Sequence, residues 1–207
     1  SHIPVKGSYA AGASAGDMTP EDIERSIIAE FESPLPEQSP RTGNCPFSDI
    51  CQKLIRELNN NWEDRALQLE NLVGYARGTQ NKAQFARNLN VLKDGFESCV
   101  NDSRSALSKR ACICISAIAE ALENKMDPCY EWLLPLVVIR AGKDTFTLPA
   151  ELAATSIIKT VGFFMSKSVG PTSLKTTRRS LEELSKHKNE KVRVVAVKCI
   201  TIAFDYW

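Results

Sequence analysis

Two histidines and seven cysteines are the side chains of this 207-residue sequence that could carry metal or nucleophilic chemistry. Their placement argues against both. His2 lies in a Gly- and Ser-rich head and His187 in a polar break, and neither stands at ligand spacing from a pair of cysteines. Cys112 and Cys114, in "RACICISAIAEAL", fall on apolar helical faces. That is the pattern of core thiols in a reduced intracellular protein. The sequence has no Gly-rich phosphate loop, no Gly-x-Ser-x-Gly elbow and no plausible Cys-His pair. It therefore reads as a non-enzyme, with no catalytic residue, no metal ligand and no cofactor assigned.

The remaining chemistry is that of recognition. In "NNNWEDRALQL" three asparagines, Asn59 to Asn61, stop one helix and Trp62 stands where the next begins. An indole there has two readings. It folds back to cap the end of the core, or it is an exposed anchor that fills a partner's pocket, since Trp combines large apolar area with few rotatable bonds. Basic side chains follow each polar break: Arg65 after the first, Arg104 and Lys109 after the second, Lys143 in the third, and Lys188, Lys191 and Arg193 in and after the fourth. A cation at a helix N-terminus opposes the helix dipole, so its recurrence points to an acidic partner. Taken singly, each is more simply a solvated lysine or arginine.

Net charge is +1, which sets up no global field for nucleic acid. Its distribution is uneven. Residues 1–58 hold five basic and nine acidic side chains, whereas residues 159–198 hold ten basic and three acidic. The longest nearly apolar run, "CYEWLLPLVVIRAG", is too short to span a bilayer and is interrupted by Glu131, Pro135 and Arg140. The uneven charge allows a local basic surface near the C-terminus, or simply lysines that solvate a helical surface, and neither a nucleic-acid partner nor membrane insertion is expected. A nucleic-acid-reading solenoid would also need stacking and polar readers at fixed positions in every repeat, and no such register is present.

The elements that must position these residues are helical. Residues 1–44 read as a Gly-, Ser- and Pro-rich linker interrupted by one short amphipathic helix over 19–31. Thr19, Pro20 and Asp22 form its start, and Ile23, Ile27, Ile28 and Phe31 share a side. A free helix of this length is marginal, so it must dock on its own domain or on a partner. From residue 45 to 207, apolar residues recur at helical spacing, as in Phe47, Ile50, Leu54 and Leu58, or Leu152, Ile157, Val161, Phe164 and Met165. No strand alternation or Asn-Gly hairpin signal appears. Helix pairs begin near Phe47, Lys82, Asp127 and Ser173, 35 to 46 residues apart. Repeats of the HEAT or armadillo type run at about 40–47 residues. The expected fold is all-α: an α-solenoid of about four HEAT-like hairpins behind a mostly irregular N-terminal extension. Stacking would bring the four mid-hairpin breaks to one edge.

"NWEDRALQLENL", "SRSALSKRACICISAIAEAL" and "NEKVRVVAVKCITIAFDYW" resemble the TOG domains of the CLASP family, with the ciliary TOG-array proteins as near relatives. The residues carrying the likeness are Asn61, Trp62, Glu63 and Arg65 in the first repeat, Arg104, Ser105, Ala111 and Cys112 in the second, and Lys191 to Lys198 in the fourth. TOG domains are paddles of HEAT repeats that bind αβ-tubulin through their mid-hairpin loops. The resemblance implies that Trp62 is an apolar anchor toward β-tubulin. It implies that Arg65, Arg104, Lys109, Lys143, Lys191 and Arg193 reach acidic tubulin surface, with Lys143 in the break that matches least. It places the protein in the cytoplasm on the microtubule cytoskeleton, with cilium or spindle as settings. Family members usually have six repeats, so residues 45–207 are expected to be a truncated TOG-like domain. "SHIP" also fits the Ser-x-Ile-Pro pattern by which plus-end proteins dock on end-binding proteins, through Ser1, Ile3 and Pro4. The competing reading is a HEAT-type scaffold that binds another protein through its inter-helix groove or the 19–31 helix.

Overall fold

Asparagines set several of the helix starts. Asn61 Oδ1 accepts the backbone N–H groups of Glu63 and Asp64, at 3.0 and 3.2 Å, and opens a helix over Trp62–Gly78. Asn81 does the same for Gln84 at 3.1 Å, opening Lys82–Asn88. Each satisfies donors that the first turn of a helix leaves without intrahelical partners. The computed structural model describes residues 19–32, 40–143, 147–168 and 171–206. Phe31, Val161, Phe164 and Met165, expected on apolar faces, have side chains outside the described set.

The elements run α1 (Pro20–Glu32), α2 (Phe47–Leu54), α3 (Trp62–Gly78), α4 (Lys82–Asn88), α5 (Lys93–Val100), α6 (Ser105–Leu122), α7 (Asp127–Arg140), α8 (Thr147–Ser168), α9 (Pro171–Leu184) and α10 (Glu190–Tyr206). Single 3₁₀ turns, Leu89–Leu92 and Glu123–Met126, join α4 to α5 and α6 to α7. Among the described residues there is no strand. The hairpins are α2 with α3, α4–α5 with α6, α7 with α8, and α9 with α10. Helices α2, α5, α7 and α9 pack in sequence to form one layer, and α3, α6, α8 and α10 form the other. This is the expected all-α solenoid of four helical hairpins. The last hairpin begins at Pro171, two residues before the expected Ser173.

A continuous core runs between the layers. Leu54, Leu69, Leu72, Leu92, Leu107, Leu122, Leu134, Val137, Ile157 and Val195 are fully buried. Burying a side chain of this kind contributes about 1.5–3 kcal/mol. The segment before α2 is pinned to α3. Arg41 donates its backbone N–H to the Gly74 carbonyl at 3.0 Å, its Nη2 reaches Asn71 Oδ1 at 2.6 Å, and its guanidinium lies 5.6 Å from the centre of the Tyr75 ring. A Cβ on Gly78 would collide with the Arg41 backbone, so that crossing requires glycine.

One element is shorter than its sequence pattern. Apolar spacing extends the first helix to Leu58, but α2 ends at Leu54 and Ile55 is extended. Tertiary donors take the released carbonyls. Asn59 Nδ2 bonds to Lys53 O at 2.9 Å and Arg65 Nε to Leu54 O at 2.8 Å. Arg56 N–H turns instead to Ser98 Oγ at 3.0 Å. Leu58 is consequently 66% exposed in a turn rather than buried in a helix.

Candidate functional site

Hydrogen bonds link each mid-hairpin break to the next. The first and second are joined through Asp102, which is buried at 3% exposure in the second break. Asp102 Oδ2 accepts Arg65 Nη1 at 2.7 Å, and Oδ1 accepts the Arg104 backbone N–H at 2.8 Å. The Asp102 carbonyl accepts Arg140 Nη2 at 2.8 Å from the end of α7, tying the second break to the third. Asn189, in the fourth break, donates Nδ2 to the Gly142 carbonyl of the third at 3.0 Å. The same Asn189 caps α10, its Oδ1 accepting the Lys191 and Val192 N–H groups at 2.9 and 3.4 Å. A Cβ on Gly142 would lie 2.8 Å from Val192 Cγ2, so the third and fourth breaks touch. The four breaks therefore form one edge.

Electrostatics explain how the buried part of this edge holds. Burial alone would raise the Asp102 carboxyl's pKa. The Arg104 N–H and the Arg65 guanidinium, with a smaller contribution from Arg56, outweigh that and hold it below the usual carboxylate range.

Arg65 does not reach the protein surface. It is fully buried, and besides Asp102 it bonds Leu54 O and, at 2.8 Å, Ser98 Oγ. The expectation that it meets an acidic partner is corrected. Its helical phase turns it under the first break, where it closes the end of α2 and neutralises Asp102. Arg193 is half-buried and also largely committed, donating Nη1 to the carbonyls of His187 and Lys188 at 2.8 and 3.0 Å. It holds the shape of the fourth break.

The other expected residues lie on or beside the edge. Trp62 opens α3, half-buried, with part of its ring packed against the core and part left open at the first break. Arg104, Lys143 and Lys191 are exposed at the second, third and fourth breaks. Lys109, one turn into α6, is paired through Nζ with Glu30 of α1 at 2.9 Å. Ser1, Ile3 and Pro4 lie outside the described residues.

Two edge residues escaped the sequence reading. Leu58 and Arg56 look like further turns of α2, yet both are exposed in the first break. The available signal was the "NNN" that follows, whose first member reaches back to Lys53 O. Acidic Glu57, Asp94 and Glu97 line a hollow beside the same break. The edge is thus graded, from apolar and mixed-charge at the first break to basic at the later ones.

Five of the seven cysteines, Cys99, Cys112, Cys114, Cys129 and Cys199, are core residues, and Cys45 and Cys51 are half-buried. Burial pushes the Cys99 thiol up to about 11 and the Cys112 thiol up to about 12, far from a reactive thiolate. His187 Nδ1 accepts the Asn189 N–H at 3.1 Å and shapes the fourth break. No helix among the described residues is long and apolar enough to cross a membrane.

A family model described as CLASP N terminal matches residues 46–205. The chain is 30% identical over 113 residues to Protein STU1 of Chaetomium globosum, an alignment covering 52% of this chain and 10% of that protein. It thus spans about a tenth of the length of that curated relative.

Proposed function

Because this chain belongs to the CLASP N-terminal family, we propose that it is a microtubule-associated, non-enzymatic module that docks αβ-tubulin along its loop edge and helps regulate microtubule dynamics. The observation that carries the reading is the hydrogen-bonded edge itself, which presents Trp62 and Leu58 at one end and Arg104, Lys143 and Lys191 along the rest. A large apolar side chain at a rigid position is the chemistry of a binding hot spot. The cations suit an acidic protein, steering encounter and making binding sensitive to salt. The site is Trp62, Arg104, Lys109, Lys143 and Lys191, with Leu58 and Arg56 added. Its setting is the cytoplasmic microtubule cytoskeleton, including spindle or cilium. Ser1, Ile3 and Pro4 supply a second proposed attachment, to end-binding proteins.

The test is capture of soluble tubulin by wild type, Trp62→Ala and Leu58→Asp. Leu58 is 66% exposed, so its replacement spares the fold. Hot-spot truncation costs about 2 kcal/mol or more, roughly a thirty-fold loss of affinity. Both variants should lose tubulin, and Leu58→Asp should keep the wild-type melting temperature. Undiminished capture by both would sink the edge reading and favour a scaffold that uses another surface. Ile3→Asn should abolish capture by an end-binding protein and leave tubulin capture intact; retained capture removes that attachment.

A further inference from the structure

We propose that α1 is an internal acidic ligand that covers Lys109, and that its release opens the second break to an acidic partner. The proposal rests on the tubulin reading above, since it names the competitor for the same cation.

Charge is the first ground. Pro20–Glu32 carries Glu21, Asp22, Glu24, Glu30 and Glu32 against one base, Arg25. It is the most acidic of the described helices, and it lies beside Lys109. Both carboxylate oxygens of Glu30 stand 2.9 Å from Lys109 Nζ. Helix α1 also packs against α8, across the layer to which α6 belongs. It therefore occupies the flank of the second break in the manner of a bound partner.

The second ground is that the hold is loose. Ile27 and Ile28 are only half-buried and Ile23 is 48% exposed, so the apolar side of α1 is incompletely covered. Glu30 and Lys109 side chains are 43% and 30% exposed, and an ion pair in that setting is weak. A thirteen-residue helix is not stable by itself in water. Its local design favours the helix when docked. Thr19 Oγ1 accepts the Asp22 N–H at 3.2 Å, and Asp22 Oδ2 accepts the Thr19 N–H at 3.3 Å, a reciprocal cap.

A tether makes so loose a contact effective. Arg41 is fixed to α3, and only residues 33–40 separate it from the end of α1. A short linker holds its end at an effective concentration on the order of millimolar. The tether returns α1 to Lys109 after each opening, and a partner that binds the whole edge displaces it. Covering reduces the apparent affinity of the partner by the fraction of uncovered protein.

The experiment uses the full chain and two variants, Glu30→Gln and Glu30→Lys, with hydrogen exchange of the α1 amides and the tubulin dissociation constant as paired readouts. Both substitutions should speed α1 exchange, Glu30→Lys more, and tighten tubulin binding about three- to ten-fold. Adding Lys109→Glu to Glu30→Lys should slow α1 exchange again by restoring an opposite-charge pair. Unchanged exchange in Glu30→Lys overturns the proposal. Released α1 with wild-type tubulin affinity also overturns it and leaves the docking edge standing. Tubulin binding by none of the proteins, with α1 released, removes the tubulin reading and the cover together.

Discussion

At the residue scale, Arg65 and Asp102 show why a position in a motif does not fix a role. Arg65 lies three residues after Trp62, yet both partners of its ion pair are fully buried at the side chain. Removing one member of such a pair strands the other charge in the interior, which costs about 3–5 kcal/mol. Arg65→Ala should therefore lower the urea midpoint severely, whereas Arg104→Ala, in an exposed side chain, should shift it little. The pair also sets an acid limit. The folded Asp102 carboxyl titrates below its unfolded value, about 4. Its contribution is complete above the ordinary carboxylate range and is lost as pH falls through the depressed folded value. The stability gap between wild type and Asp102→Asn should therefore narrow from pH 7 to pH 3 in urea titrations. A gap that widens on acidification would contradict the assignment.

At the scale of elements, the polar breaks are connectors with defined partners. Asn189 caps α10 and reaches across to Gly142 O, so one side chain sets both the start of a helix and the spacing of two loops. Asn189→Ala should cost about 1–2 kcal/mol, combining a lost cap with an unpaired carbonyl. Asn189→Asp keeps the capping acceptor and loses only the donor to Gly142. Its urea midpoint should fall between those of wild type and Asn189→Ala. Equal losses would mean that the cross-loop bond, not the cap, carries the effect.

At the scale of the whole molecule, each hairpin leans on its neighbours. Among the described residues, helix α6 packs between α3 and α8, while α10 packs in its layer against α8. Val194, Val197 and Phe204 on α10 stay exposed, at 48%, 50% and 81%. In a stack held by nearest-neighbour contacts, opening spreads inward from the least supported helices. Native-state hydrogen exchange should accordingly show the slowest amides in α6 and faster exchange in α9 and α10. Uniform protection from α2 to α10 would instead indicate a single cooperative unit.

Periodicity alone determined the class of this fold. Apolar residues at helical spacing must be buried along one face, and their repetition in pairs leaves stacked hairpins as the way to bury them. The polar breaks and the start of α1 at Thr19 were legible for the same local reason, because a helix end needs donors or acceptors within a few residues. The short docking helix was readable too, though not the surface on which it docks. What the sequence could not decide is which cations face solvent. Arg65, Arg104, Lys109 and Arg193 share a chemistry and a similar place beside a break, yet one is buried against Asp102, one is open, one holds Glu30 and one binds loop carbonyls. Those outcomes depend on groups 37, 79 or 6 residues away, or on none. The premature end of α2 has the same origin, since the side chains that take its last carbonyls arrive from beyond the helix. Spacing is a local quantity, and only packing in three dimensions brings the distant partner that decides whether a charge is sealed, spent or left to meet another protein.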